Sequence, residues 1–200
     1  YRAGDSSMQD EVTVVTDIWN ARYSLARSRL EEAAPIVVGI TGSNGKTSTK
    51  EIRAAILATR YRVLSTEGNL NTETGVPLTI LRLQPRVHEV LVLEMGMQAP
   101  GEIARLAALA SPRIGIVTGI GTVHIEFFDS VEGIARAKAE LVEALPADGL
   151  AILNGDDPST PLIQARSRAP ILTFGLEGGD YRGEGYAAGA FTVRGVPVRL

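Results

Sequence analysis

The chain has 200 residues, 44% of them hydrophobic and 22% charged, enough for one sizeable core. A formal net charge of −3 and a sequence pI near 5.5 give no basic footprint for nucleic acid, and no lysine-arginine block occurs. The absence of cysteine excludes disulfides, thiolate metal sites and cysteine nucleophiles. No apolar run approaches the ~20 residues a membrane helix needs, and Tyr1 to Asp10 is polar rather than signal-like. A soluble, cytoplasmic, monomeric protein without membrane insertion is expected. Because the chain opens on Tyr1 rather than methionine, it reads as an excised or processed fragment.

In chain order, Asp17 is placed to cap a helix in which Trp19, Tyr23, Ala26, Leu30 and Ala33 recur at spacings of four and three. The interleaved Arg22, Arg27, Arg29, Glu31 and Glu32 form its solvated face. Strands over 36–40, 62–64, 90–93, 114–117, 151–153 and 171–174 then alternate with helices over 46–59, 77–83, 102–110, 131–145 and 159–166. Such alternation predicts βαβ units, hence an α/β fold with a parallel sheet and helices on both faces, its ligand at the carboxyl ends of the strands. From Gly175 the texture becomes glycine-rich around 190–193 and 196–200, which predicts a small antiparallel β segment at the C-terminal end.

Thr41-Gly42-Ser43-Asn44-Gly45-Lys46-Thr47-Ser48 lies between the first of these strands and its helix. This is a P-loop pattern in which small residues turn backbone N–H groups toward an anion and the helix offers its positive end. Lys46 adds a charge at the β- and γ-phosphates, and Thr47 a hydroxyl for Mg²⁺. The loop is a variant: Ile40 holds the first glycine position, with Gly39 and Gly42 on either side.

Other candidates sit at strand ends. The strand 90–93 runs into Glu94-Met95-Gly96, delivering a carboxylate that is either a Mg²⁺ ligand or a helix cap, beside a glycine that permits close approach. His124 lies in a glycine-rich loop expected on the same rim, as a site residue or a structural one, whereas His88 precedes a strand and reads as an exposed rim residue. Lys138 borders the apolar face of its helix, which periodicity alone reads as a snorkelling lysine. The segment 67–77, with Asn69, Asn71 and Thr72, either reads a polar ligand or satisfies turn geometry. Asn154-Gly155-Asp156-Asp157-Pro158 either contacts a base or ribose or forms a turn and helix cap.

Five blocks in order, VVGITGSNGKTSTKEI, EGNLNTETGVPLTILRL, VLEMGMQAPGEIARL, GTVHIEFFDSVEGIARAKAEL and ILNGDDP, resemble the ATP-dependent Mur ligases of peptidoglycan synthesis across 36–174. The second and third blocks favour those members that add D-alanyl-D-alanine to a UDP-N-acetylmuramoyl-tripeptide. The resemblance implies that Gly42 through Ser48 bind ATP phosphates, that Thr47 and Glu94 hold one Mg²⁺, and that His124 and a carbamylated Lys138 serve a second. It further implies that Lys46, Glu94, His124 and Lys138 are the catalytic set, that Asn69, Asn71 and Thr72 face the UDP-muramoyl peptide, and that Asn154 faces adenine. Two departures stand out: Asn71-Thr72-Glu73 replaces Asn-Asn-Glu, and His124-Ile125-Glu126-Phe127 replaces His-Leu-Glu-Gly. By the same resemblance, 1–34 is the end of an N-terminal domain with a linker helix, 35–200 an incomplete central ATP-binding domain, and a C-terminal ligase domain is absent. A folylpolyglutamate- or cyanophycin-type relative is the alternative within the enzyme class. A non-catalytic nucleotide-binding module is the alternative outside it, although the guanine signature N-K-x-D is absent.

Overall fold

The computed structural model describes residues 6–122, 128–187 and 190–199. A long helix α1 (Ser6–Ala33) leads into β1 (Ile36–Thr41), α2 (Lys46–Ala58), β2 (Val63–Ser65), α3 (Gly75–Leu81), β3 (Val90–Glu94), α4 (Glu102–Ala110) and β4 (Ile114–Val117). There follow α5 (Val131–Glu143), β5 (Leu150–Asn154), α6 (Thr160–Gln164), β6 (Ile171–Gly175), β7 (Tyr181–Ala187), β8 (Ala190–Val193) and β9 (Val196–Arg199). The sheet order is β2-β3-β1-β4-β5-β6-β7-β8-β9, parallel from β2 through β7 and antiparallel from β7 to β9. The expected α/β architecture is therefore present, with its antiparallel segment at the C-terminal end.

Strand order reverses at β1, which pairs with β3 on one side and β4 on the other, so the loop after β1 sits at the switch point of the sheet. Val38, Ile40, Val90, Val92, Ile116 and Ile152 point to one face, where Leu57 of α2 packs. The alternate residues Val37, Leu91 and Leu93 point to the other, where they meet Ala26 and Leu30 of α1, Ile80 of α3, Leu106 of α4 and Leu141 of α5. Burying both faces is what turns these strands into nearly continuous apolar runs.

One close approach on the second face sets up the site. Gly39 and Gly115 are register partners on β1 and β4. A Cβ on Gly39 would stand 2.8 Å from Leu141 Cδ1, and one on Gly115 would stand 3.1 Å from Leu145 Cδ1. The paired glycines thus form a bare seat for α5, and Lys138, one turn before Leu141, projects from that helix toward the carboxyl edge.

Four expectations are corrected. Asp17 does not begin a helix, because α1 runs from Ser6 through a stretch free of glycine and proline. Helix α3 starts at Gly75 rather than Pro77, since proline is tolerated anywhere in a first turn where its missing N–H has no partner to lose. Strand β7 is absent from the sequence-based expectation because Gly183, Gly185 and a register shift between Glu184 and Ala187 break the alternation of apolar and polar residues. Several other ends move by a residue or two, as where β3 extends to include Glu94.

The start of α3 also shapes the long loop before it. A Cβ on Gly75 would lie 2.4 Å from the carbonyl carbon of Leu70. Backbone cannot rotate out of the way as a side chain can, so Gly75→Ala is expected to destabilise the fold by about 2–3 kcal/mol. A urea-unfolding midpoint indistinguishable from that of the parent chain contradicts this.

Candidate active site

The loop after β1 closes on Gly45, the N-cap of α2, which adopts φ 78° and ψ 0° and supplies no side-chain cap to the first helical turn. The orphan N–H groups of that turn are therefore left for an anion, at the positive end of the helix. Lys46 curls back over the loop, its Nζ donating to Gly42 O at 2.8 Å and Ser43 O at 3.2 Å. Burial lowers its pKa, while the nearby Glu94 carboxylate opposes the shift. Not every loop residue is available: Ser43 is buried, and its Oγ accepts from Gly121 N at 2.8 Å, tying the loop to the segment after β4.

Glu94, 2% exposed, ends β3 beside this turn. Its Oε2 accepts from Thr47 Oγ1 at 3.0 Å and its Oε1 from Asn71 Nδ2 at 2.8 Å. The helix-cap reading of Glu94 is thereby set aside. Two oxygen ligands in adjacent positions of an octahedral Mg²⁺ shell, each at ~2.1 Å, stand about 3.0 Å apart. Thr47 Oγ1 and Glu94 Oε2 already have that separation, so these two side chains fit such an ion. The close approach that Gly96 permits is made by Asn71, whose Oδ1 would lie 3.0 Å from a Cβ there and whose carbonyl accepts from Gly96 N at 2.7 Å.

Lys46, Asn71, Thr72 and Lys138 line one cleft of about 430 Å³, together with Trp19 and Glu102. Lys138 is only 2% exposed, so the snorkelling reading fails: the ammonium faces the cleft rather than bulk water. Burial, reinforced by the positive charge of Lys46, pushes its pKa down to about 7. Three of the expected groups, Lys46, Thr47–Glu94 and Lys138, are thus brought together by β1, β3, α2 and α5. His124 falls outside the described residues. His88 lies before β3, at the opposite end of the sheet from the cleft, and its Nδ1 accepts from Gln84 N at 3.0 Å.

The remaining candidates sit elsewhere. Asn69 is exposed and is not part of the cleft lining. Asn154 ends β5 on the same edge of the sheet, where its Nδ2 donates to Thr118 O at 3.2 Å and its Oδ1 accepts from Asp156 N at 3.0 Å. Thr118 in turn donates to Asn44 O at 2.6 Å, so a chain of hydrogen bonds connects Asn154 with the phosphate loop. Asp157 accepts from Ser159 N, which is turn and helix-start chemistry, and from Ile120 N, which ties this turn to the segment after β4.

Sequence reasoning passed over two features. The Asn71–Glu94 pair joins residues remote in sequence and leaves no local signature. Lys50 is completely buried, yet reads as an ordinary surface lysine. A periodic signal was nevertheless present: Lys50 stands four and seven residues before Ala54 and Leu57, on the inward face of α2, while Ile52 and Ile56 face solvent.

Comparison with known proteins identifies the family. The family described as Mur ligase middle domain matches residues 40–194. The UDP-N-acetylmuramoyl-tripeptide–D-alanyl-D-alanine ligase of Bacillus subtilis is 44% identical over 164 residues, covering 82% of this chain and 35% of the relative. The corresponding Escherichia coli ligase is 42% identical over 144 residues, covering 72% and 32%. The crystal structure of MurF ligase from Thermotoga maritima in complex with ADP superposes with a TM-score of 0.80 at 35% identity, covering 91% of this chain and 44% of that one. The chain therefore spans about a third of the length of the curated relatives it matches. A P-loop, a buried strand-end glutamate and a cleft-facing lysine occur together in a chain with these relatives: it belongs to the Mur ligase family, over that family's middle domain.

Proposed function

We propose that this chain is the central ATP-binding part of a longer cytoplasmic, monomeric ligase that joins D-alanyl-D-alanine to UDP-N-acetylmuramoyl-tripeptide, a step of peptidoglycan precursor synthesis. Convergence of Lys46 and Lys138 on one cleft, with the Thr47–Glu94 pair joined to that cleft through Asn71, carries the reading. A carboxylate and an amine do not condense in water unaided. The reaction therefore runs through transfer of the ATP γ-phosphoryl group to the terminal carboxylate of the tripeptide, and the D-alanyl-D-alanine amine then displaces phosphate from that acyl phosphate.

Each residue has a defined part. The first turn of α2 and Lys46 hold the phosphates, with Lys46 giving up Gly42 O and Ser43 O to reach them. Thr47 and Glu94 would hold Mg²⁺, which neutralises charge developing between β- and γ-phosphates. Asn71 keeps the Glu94 carboxylate turned toward Thr47, and Thr72, which lines the same cleft, is assigned to the acceptor. His124 and Lys138 would serve a second Mg²⁺. With its pKa held near 7, the Lys138 amine is accessible in neutral form; adding to CO2, it forms an N–C bond, releases a proton and becomes an anionic oxygen donor. Asn154 and its neighbours are assigned to the adenine end.

An ADP-release assay on the complete ligase tests this. ADP is expected when muramoyl tripeptide and D-alanyl-D-alanine are supplied together, and none when a folate or cyanophycin acceptor replaces the tripeptide; the reverse preference overturns the assignment. The 200-residue chain alone is expected to bind nucleotide weakly and not to turn over.

A further inference from the structure

Lys50 is the one lysine of the described residues whose side chain is completely enclosed, and no step above employs it. A buried ammonium is costly unless its donors are occupied. Here Nζ donates to Thr66 O at 2.7 Å and to Gly68 O at 3.3 Å, and lies 3.0 Å from Glu51 Oε1. Two of these partners are backbone carbonyls at the root of the 66–74 loop, which carries Asn71 and Thr72 into the cleft.

The position of Lys50 on α2 gives this contact its meaning. It follows Lys46 by four residues and Thr47 by three, so it lies one turn below the groups assigned to phosphate and metal. The loop it grips is fastened twice more: Thr66 Oγ1 accepts from Glu94 N at 3.1 Å, and Asn71 bridges Gly96 N and the Glu94 carboxylate. The β2–α3 loop is consequently hung between the phosphate helix and the end of β3. Among the described residues, the only ammonium in that suspension is Lys50.

We infer that Lys50 is a positioning residue, which fixes the acceptor-binding loop relative to the phosphate helix and thereby sets the distance between the carboxylate to be activated and the γ-phosphate. This rests on the proposed ligase reading for its substrate, but the contact itself does not. A neutral side chain of similar length leaves Thr66 O and Gly68 O without their donor, and those carbonyls turn toward water, loosening the loop around Thr72 while Asn71 stays tied to Gly96 N and the Glu94 carboxylate. The phosphate loop has its own anchors at Ser43, Gly121 and Thr118, so it stays in place.

The test compares the complete ligase with its Lys50→Met variant, and with Lys50→Cys alkylated by bromoethylamine before refolding, which restores an ammonium at nearly the same reach. Hydrogen exchange of the 66–74 segment and steady-state kinetics are read on each. Expected for Lys50→Met are exchange at least about tenfold faster in that segment alone and an acceptor KM raised about tenfold or more. The ATP KM should stay within about twofold, and the alkylated cysteine should reverse both effects. Unchanged exchange, a parallel rise in both KM values, or the absence of rescue by the restored ammonium overturns the inference. Should the parent enzyme ignore every muramoyl acceptor, the ligase reading falls instead, and the exchange and rescue measurements decide the role of Lys50 by themselves.

Discussion

Lys46→Ala in the complete ligase is expected to lower ADP release about a thousandfold while leaving the folded state intact. In the proposed role the charge lies where negative charge is redistributed during phosphoryl transfer, and loss of one such preorganised group typically costs a factor of about 10²–10³ or more. In the structure its Nζ donates to Gly42 O and Ser43 O, and both residues are buried, so removal leaves two carbonyls without that donor: the chain stays folded but loses about 1–3 kcal/mol of stability. Lys46→Met separates charge from bulk and should be equally inactive; Lys46→Arg should recover little, because a planar fork does not replace a compact ammonium inside a narrow turn. Coupled ADP assays at saturating ATP measure this, with thermal melts alongside. Turnover within tenfold of the parent for either neutral variant refutes the role given to this side chain.

The second large effect concerns stability. In CO2-free buffer, Lys138→Met is expected to be more stable than the parent at pH 6–7, on the order of 4 kcal/mol, and the advantage should shrink as pH rises toward 10. In the folded chain the Lys138 pKa is depressed to about 7, against an ordinary lysine value of 10.5. Between those values the unfolded chain keeps a proton that the folded chain sheds, so parent stability climbs with pH across the window. Below pH 7 both states are protonated and the full cost of a buried ammonium beside Lys46 is present, at ~1.4 kcal/mol for each pH unit that separates the folded value from the ordinary one. Methionine fills a similar volume without the charge. Urea midpoints of both proteins at pH 6, 8 and 10 check this, and a difference independent of pH contradicts it.

Much of the fold was legible because local and global demands coincide. The runs 36–40 and 90–93 are apolar on both sides, as strands buried between helices have to be, and 102–110 and 114–117 were located to the residue. Legibility failed where tertiary partners override local signals. Strand β7 gains its pairing from β6 and β8 despite its glycines, and α1 continues beyond a plausible cap because nothing in 6–16 stops it. At the site, the P-loop is contiguous and was visible at once, whereas Glu94 and Lys138 each kept an ordinary alternative until the fold brought them to one edge. Lys50 was concealed by its residue type: a lysine in the inward stripe of α2 and isoleucines in the outward one invert the usual pattern.

The paired glycines beneath α5 have a wider consequence. At these two points the leucines reach bare backbone, so no side chain of β1 or β4 stands between them and the sheet. The reach of Lys138 into the cleft thus follows how closely Leu141 settles on the sheet. A methyl group added at Gly39 or Gly115 would meet Leu141 Cδ1 at 2.8 Å or Leu145 Cδ1 at 3.1 Å, so those leucines would have to shift to admit it, with Lys138 one turn away from the first.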